Sequence, residues 1–511
     1  MVAAYAVGIF SLAQWVSRNR TKGPKTSNDY FLASKALPWW AIGASLIAAN
    51  ISAEQIIGMC GSGYALGIGI ASYEWMAALT LIIVGKFLLP VFLRNNVSTM
   101  PQFLDQRYGN QLRTVMAIFW LGVYVFVNLT SILWLGSIAV HAVANVDQRW
   151  ALVGLGVFAL AYQLYGGLKA VALTDIVQVA LLVGGGLIID AIALDKIADG
   201  AGLVQGFDLL VHHIPEKFHM ILGPDNPHYA ELPGISVLVG GLWVMNLSYW
   251  GFNQYIIQRA LAARDLKTAQ KGIAFAAYLK LLMPIVVVLP GLAAVVLVPN
   301  LAIPDHAYPE MMGLLPNGLK GLVFAGLIAA IVASLASKIN SIATIFTLDI
   351  YTQLRPHTSQ TGLVRVGRIT AVVAVIIGVL TAQPLLGKFD QAFQYIQEYT
   401  GFFTPGITVI FLLGIFWKPT TQAAALSAAI GSVALSTVFW FAWPSLPFMN
   451  RIGLVFLIVL AMAVVISLIW PDKVSKSQVA FDGVTYRTTK GFNAAAVGVI
   501  AVLVALYATW W

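Results

Sequence analysis

The chain has 511 residues, 59% of them hydrophobic and only 10% charged, with a mean hydropathy of +0.82, which excludes an ordinary soluble globule and makes it a polytopic membrane protein. Thirty basic residues against 21 acidic ones would suggest nucleic acid in a soluble protein; here they read as the basic bias of cytoplasmic loops, so no nucleic-acid partner is expected. The single cysteine, Cys60, excludes a disulfide framework and a cysteine metal cluster, and in its apolar Gly-rich run it reads as a small buried filler.

Apolar runs of membrane length recur from end to end, and fourteen spans are expected. The first, residues 2–16, has no basic leader or small-residue cleavage site and is not read as a signal peptide. The others cover about 38–65, 70–93, 111–145, 150–167, 173–194, 234–262, 270–298, 315–350, 363–384, 389–417, 420–441, 450–471 and 490–511. Arg18, Arg20, Lys22 and Lys25 follow the first span and place the N-terminus outside. With that orientation Arg94, Arg107, Arg113, Lys169, Arg259, Arg264, Arg365, Arg368 and Lys418 all fall on the cytoplasmic side, and both termini lie on the outer face. Trp39–Trp40 and Trp510–Trp511 fit interfacial belts.

Two spans are interrupted. The second breaks an apolar run at Asn50, Ser52, Glu54 and Gln55, and the seventh at Asn246, Ser248, Tyr249, Asn253 and Gln254. Unpaired polar groups at mid-membrane depth cost several kcal/mol, so they are tolerated where they line an enclosed cavity. Spans five apart cross in opposite directions, which is the pattern of an inverted repeat whose broken helices meet at a midplane binding site. The repeats would cover 38–194 and 234–417, with a leading helix at 2–16 and trailing helices over 420–511, all in one transmembrane domain. Ordinary helices with polar packing contacts are the alternative. Glu74 and Lys280 are lone charges within apolar spans, each costing about 2.5–3.5 kcal/mol on insertion scales, and should face the bundle interior.

From Asn28 onward, DYFLASKALPWWAIGASLIAANISAEQ, ASYEWM, NLSYWGFNQYIIQR, SKINSIATIFTLDIY and FQYIQEYTGF together resemble the sodium/solute symporter family, in particular its bacterial sodium/galactose branch. The resemblance covers nearly the whole chain and implies an all-α, fourteen-helix form of the LeuT-like fold in a bacterial inner membrane. It also implies a function: sodium-coupled import of a hexose, galactose or glucose, by alternating access.

A hexose offers hydroxyls all round and one apolar face, so its site needs amides or carboxylates and an aromatic plate. The resemblance implies that Asn50, Gln55, Glu74, Asn246, Lys280 and Gln397 bind the sugar, that Tyr249 stacks under it as the inner gate, and that Met59, Tyr73 and Phe393 close the outer side. Where the family pattern has a serine after Tyr-Glu-Trp-Met, this chain has Ala77.

For sodium, the resemblance implies carbonyls of Ala48, Ile51 and Ala330 with hydroxyls of two consecutive serines, which here read Ala333–Ser334. One hydroxyl is lost, and Lys338 stands one turn further on where the family has an apolar residue. Either Lys338 snorkels inward or pairs with Asp175, which the resemblance places on the ion's exit path, or its ammonium substitutes for sodium and coupling is to protons or absent. The remaining alternatives are a sugar-gated channel or sensor, disfavoured because no output domain follows the last span, and an enzyme, for which no nucleophile, metal or phosphate motif is present.

Overall fold

The computed structural model describes residues 37–97, 99–165, 168–387, 391–471, 479–480 and 483–511, with side chains described for all of these except 164–178. The leading helix at 2–16 therefore lies outside the described residues, and the side chain of Asp175 does too. The helices are α1 (Trp39–Asn50), α2 (Glu54–Leu66), α3 (Ile68–Arg94), α4 (Met100–Tyr108), α5 (Asn110–Ala144), α6 (Gln148–Tyr165), α7 (Leu168–Ile197), α8 (Leu203–His213), α9 (Ile235–Val239), α10 (Gly241–Phe252) and α11 (Gln254–Leu261). They continue with α12 (Leu266–Leu297), α13 (Ala307–Gly313), α14 (Asn317–Leu354), α15 (Gln360–Leu386), α16 (Ala392–Thr400), α17 (Thr404–Phe416), α18 (Gln422–Ala442), α19 (Phe448–Ile469) and α20 (Lys490–Trp510). Among the described residues the architecture is all-helical apart from one isolated bridge, Leu37 to Ala263.

Every span expected from residue 38 onward has a helical counterpart. Among the described residues, eight helices are long and apolar enough to cross a membrane by themselves, and two bent pairs bring the number to ten. The pair α1/α2 bends by 65° across residues 51–53, at the predicted interruption. The seventh span breaks at Asn253, whose backbone is extended (φ −86°, ψ 123°) between α10 and α11. The eleventh span, expected to be continuous, is instead bent by 48° between α16 and α17. Gly401 and Pro405 flank that bend; glycine loosens the helix and proline at its second position in α17 removes a donor, so the chain turns where neither costs a ladder bond.

Burial separates the layers. The most apolar stretch of α14 is 83% buried and that of α3 is 72%, whereas those of α18, α19 and α20 are 33%, 28% and 17% buried, so the trailing helices present most of their surface to lipid. The broken second span lies at the centre, packed on α7 and on α12, which also packs on α3. Small residues permit the close approach to α12: a Cβ at Gly43 would lie 2.6 Å from the Gly272 carbonyl oxygen, one at Gly63 2.9 Å from that of Val288, and one at Gly291 2.1 Å from that of Cys60. Gln270 Nε2 donates to Gly85 O (3.1 Å) and Trp75 Nε1 to Leu281 O (3.2 Å), tying α12 to α3.

The start of α12 is capped by Asp265, which accepts from Thr268 N at 2.7 Å. That backbone bond, with Arg264 beside it, holds the Asp265 carboxyl below the usual carboxylate range. A depressed folded value gives stability above the unfolded pKa, about 3.9, that is lost as pH falls through the folded one. Asp265→Ala is accordingly expected to cost about 1 kcal/mol at neutral pH. Thermal unfolding in detergent should show that deficit, narrowing only below about pH 4.

Candidate functional site at the broken spans

The end of α1 is set by its own side chains. Ser52 N donates to Gln55 Oε1 (3.2 Å) and Glu54 N to Ser52 Oγ (3.2 Å), so neither amide continues the helix ladder. The carbonyls of Ala48 and Asn50, which those two amides would otherwise have tied, are released from the helix ladder. Ser52 Oγ also donates to Gln55 Oε1 (3.0 Å), and Ser131 Oγ donates to Glu54 Oε1 (2.7 Å), anchoring the first turn of α2 to α5. That turn, Glu54–Gly58, is wound as a π-helix, and so is Val123–Leu129 opposite it in α5. Wide turns of this kind displace side chains from regular register and recur at functional sites.

A cavity opens beside this break. Of the predicted sugar-site residues, Asn50, Gln55, Glu74, Asn246 and Gln397 line it, together with Tyr249, Tyr73, Phe393 and Ala77. Tyr73 and Phe393 meet edge-to-face at 5.1 Å between centroids, and both are buried. Met59 is fully buried and is not in the cavity wall; nor is Lys280, which is wholly inaccessible behind it. Trp120, Trp250, Asn253 and Phe403 also line the cavity. Sequence reasoning passed over these aromatics because a Trp or Phe in an apolar span looks the same whether it packs or faces a cavity; the one available signal was Trp250 beside Tyr249 in an interrupted span.

The two lone charges meet directly. Lys280 Nζ donates to Glu74 Oε2 and to Asn50 Oδ1, and stands 5.0 Å from the centroid of the Trp250 ring. Two carboxylate and amide acceptors plus an aromatic face account for a fully buried ammonium, and neither snorkelling nor a bridging ligand is needed. Glu74 spends one oxygen on Lys280 and keeps the other beside the cavity. Asn50 Nδ2 donates to Tyr249 Oη at 3.0 Å, which joins the aromatic plate to the same network.

On the opposite side of the break, Ser334 Oγ donates to Ile51 O at 3.3 Å. Ala330 and Ala333 are buried on the same helix, α14. The released Ala48 carbonyl, Ile51 O and the Ser334 hydroxyl are hard, neutral oxygens, a donor set suited to a monovalent cation rather than to a transition metal. Among the described residues there is no cluster of three or more His, Cys, Asp or Glu that could hold a metal ion. Lys338 is buried too, and its Nζ donates to Tyr255 Oη at 3.0 Å while standing 4.3 Å from that ring's centroid. It turns inward to a phenol on α11 instead of reaching for the aqueous interface.

Comparison with known proteins agrees with these observations. The profile of the sodium:solute symporter family matches residues 30–431. The chain is similar to a sodium/glucose cotransporter of Vibrio parahaemolyticus, at 48% identity over all of this chain and 97% of that protein. It is also similar to sodium/myo-inositol cotransporter 2 of Mus musculus, at 32% identity over 86% of this chain and 69% of the other. Among solved structures, a Na+-coupled sialic acid symporter in its substrate-bound outward-open state superposes with a TM-score of 0.78 at 21% identity, covering 93% of this chain and 98% of that one, which is a likeness of fold.

Proposed function

Since the chain belongs to the sodium:solute symporter family, we propose that it is a sodium-coupled symporter that imports a hexose, galactose or glucose, across a bacterial inner membrane, with residues 38–194 and 234–417 as inverted repeats. The observation that carries this reading is the single cavity wall in which an amide (Asn50), a carboxylate (Glu74) and an aromatic plate (Tyr249) converge at the broken second span. That combination offers hydroxyl acceptors and donors around an apolar ring face. Gln55, Asn246 and Gln397 add further amides, and Lys280 acts from behind by fixing Glu74 and Asn50. Ala77 gives no hydroxyl where the family pattern has one.

Sodium would bind between the released carbonyls of α1, Ala48 and Ile51, and the Ala330 carbonyl and Ser334 hydroxyl of α14. Ion and sugar then share one short segment, residues 48–55, so occupancy of one side of the break preorganises the other. Thermodynamic reciprocity requires each to raise the affinity of the other by the same factor. Tyr73 and Phe393 cover the cavity on the outer side and Tyr249 lies beneath it. The membrane potential supplies about 2.3 kcal/mol per charge per 100 mV to drive the cycle. A second reading, proton coupling, is favoured by one observation: Lys338, one turn from Ser334, brings a buried amine to a site where Ala333 supplies no hydroxyl.

Proteoliposomes test both. Labelled galactose and glucose uptake is to be followed under an inward sodium gradient and, separately, under an inward proton gradient of equal size. Concentrative uptake with sodium alone is expected. Uptake driven by protons and indifferent to sodium would replace the ion assignment by the second reading, and no uptake of either hexose would overturn the sugar assignment.

A further inference from the structure

The hydrogen bonds behind the cavity wall form one chain with a lysine at each end. Lys338 Nζ donates to Tyr255 Oη (3.0 Å), Tyr255 Oη donates to Tyr249 Oη (2.7 Å), Asn50 Nδ2 donates to the same Tyr249 oxygen (3.0 Å), and Asn50 Oδ1 accepts from Lys280. An ammonium donates and never accepts. At one end Lys338 occupies one lone pair of the Tyr255 oxygen, and its positive charge turns the hydroxyl proton away from itself, toward Tyr249; at the other, Lys280 fixes which end of the Asn50 amide is oxygen and so turns its NH2 toward Tyr249. Donors converge on the Tyr249 oxygen from both directions. The Tyr249 hydroxyl has then spent its acceptor capacity, and its own proton is what it has left for a group in the cavity that it lines.

We infer that Lys338 is a specificity-determining positioning residue: acting through Tyr255, it makes Tyr249 an obligate hydrogen-bond donor, so the site selects a ligand that presents an acceptor oxygen at that point. This inference rests on the sugar reading given above. Lys338, on α14, does not line the cavity, and neither does Tyr255 on α11; their effect on the ligand is wholly through the direction of the chain. With Lys338 removed, no charge opposes the reversed bond; where Tyr249 donates to Tyr255 its proton is spent, and it meets the ligand as an acceptor instead of a donor.

Monofluoro and monodeoxy hexoses separate the two cases, because fluorine on carbon accepts weakly and cannot donate, whereas a deoxy position does neither. Inhibition of labelled hexose uptake is to be measured for each analogue with the parent protein and with Lys338→Met, Lys338→Arg and Tyr255→Phe. In the parent, the fluoro analogue at the position facing Tyr249 is expected to bind within about threefold of the sugar, and its deoxy counterpart about tenfold more weakly. In Lys338→Met the fluoro analogue should lose affinity toward the level of the deoxy one, because a reversed bond spends the Tyr249 proton on Tyr255; Lys338→Arg, which keeps a cationic donor, and Tyr255→Phe, which leaves that proton no rival acceptor, should retain the parental pattern. A residue that only supported the fold would shift all analogues together and leave their ratio unchanged; an unchanged fluoro-to-deoxy ratio in Lys338→Met overturns the inference. If the parent takes up no hexose at all, the sugar reading itself falls, and the inference with it.

Discussion

Glu74→Gln is expected to destabilise the protein by about 3–5 kcal/mol and to lower hexose uptake at least about a hundredfold, although it removes one charge and almost no volume. Its partner Lys280 is completely enclosed, held by Glu74 Oε2 and Asn50 Oδ1 with the Trp250 ring beside it. Take away the carboxylate and an uncompensated ammonium stays behind in the apolar interior of the bundle, which is the costly half of breaking a buried pair. Lys280→Met alone leaves the opposite charge on Glu74 and should be nearly as harmful. The double variant Glu74→Gln with Lys280→Met restores neutrality, so it is expected to recover most of the stability and none of the uptake. Fluorescence-detected thermal unfolding gives the stability arm and proteoliposome uptake the functional one. A double-variant loss equal to the sum of the two single losses would show that the two groups do not act as a pair.

Gly291→Val should have a comparable effect on folding without touching the cavity. A Cβ at this position would stand 2.1 Å from the Cys60 carbonyl oxygen and 2.9 Å from the Tyr64 amide nitrogen. Both are backbone atoms of α2, so no side chain can swing aside, and α12 must separate from the broken span to admit the valine. The expected loss is about 3 kcal/mol or more, at the upper end of overpacking penalties, read as disappearance of the monodisperse peak in detergent chromatography. Gly122→Ala is the control: nothing lies within 4 Å of a Cβ there, and a helical alanine should be neutral or stabilising by up to about 1 kcal/mol. A monodisperse, stable Gly291→Val protein would mean that α2 and α12 are not in the close register described above.

How much of this was legible beforehand depended on what kind of signal each feature leaves in the chain. The break in the second span was readable because Asn50, Ser52 and Glu54 stand out against an apolar run, and the cavity formed where those residues fall. The bend between α16 and α17 was not. Its polar residues, Gln394, Gln397 and Glu398, fall within α16 and not at the turn itself, and Gly and Pro also occur in helices that stay straight. Glu74 and Lys280 were visible as isolated charges, but direct pairing is a fact of tertiary packing that two distant letters cannot express. Lys338 was visible as an intrusion into the ion region, yet its partner Tyr255 was hidden, since a tyrosine on an amphipathic helix end looks like packing. For Met59 the residue itself carried no signal: the resemblance implied that it closes the outer side of the site, whereas it is completely buried outside the cavity wall, directly after the π-turn.

The glycine contacts along α12 bear on mechanics as well as on stability. Gly43 and Gly272 join this helix to the half-helix before the break, and Gly63 and Gly291 join it to the half-helix after the break. A single long helix thus lies like a splint across a fractured one, fixed to both fragments by backbone. Bending at residues 51–53 would tear one fragment from the splint, so α1, α2 and α12 travel as one lever. The unwound turn is a socket and not a hinge, and any rotation of that lever would have to be taken up at its contact with α14, where the Ser334 side chain meets the Ile51 carbonyl.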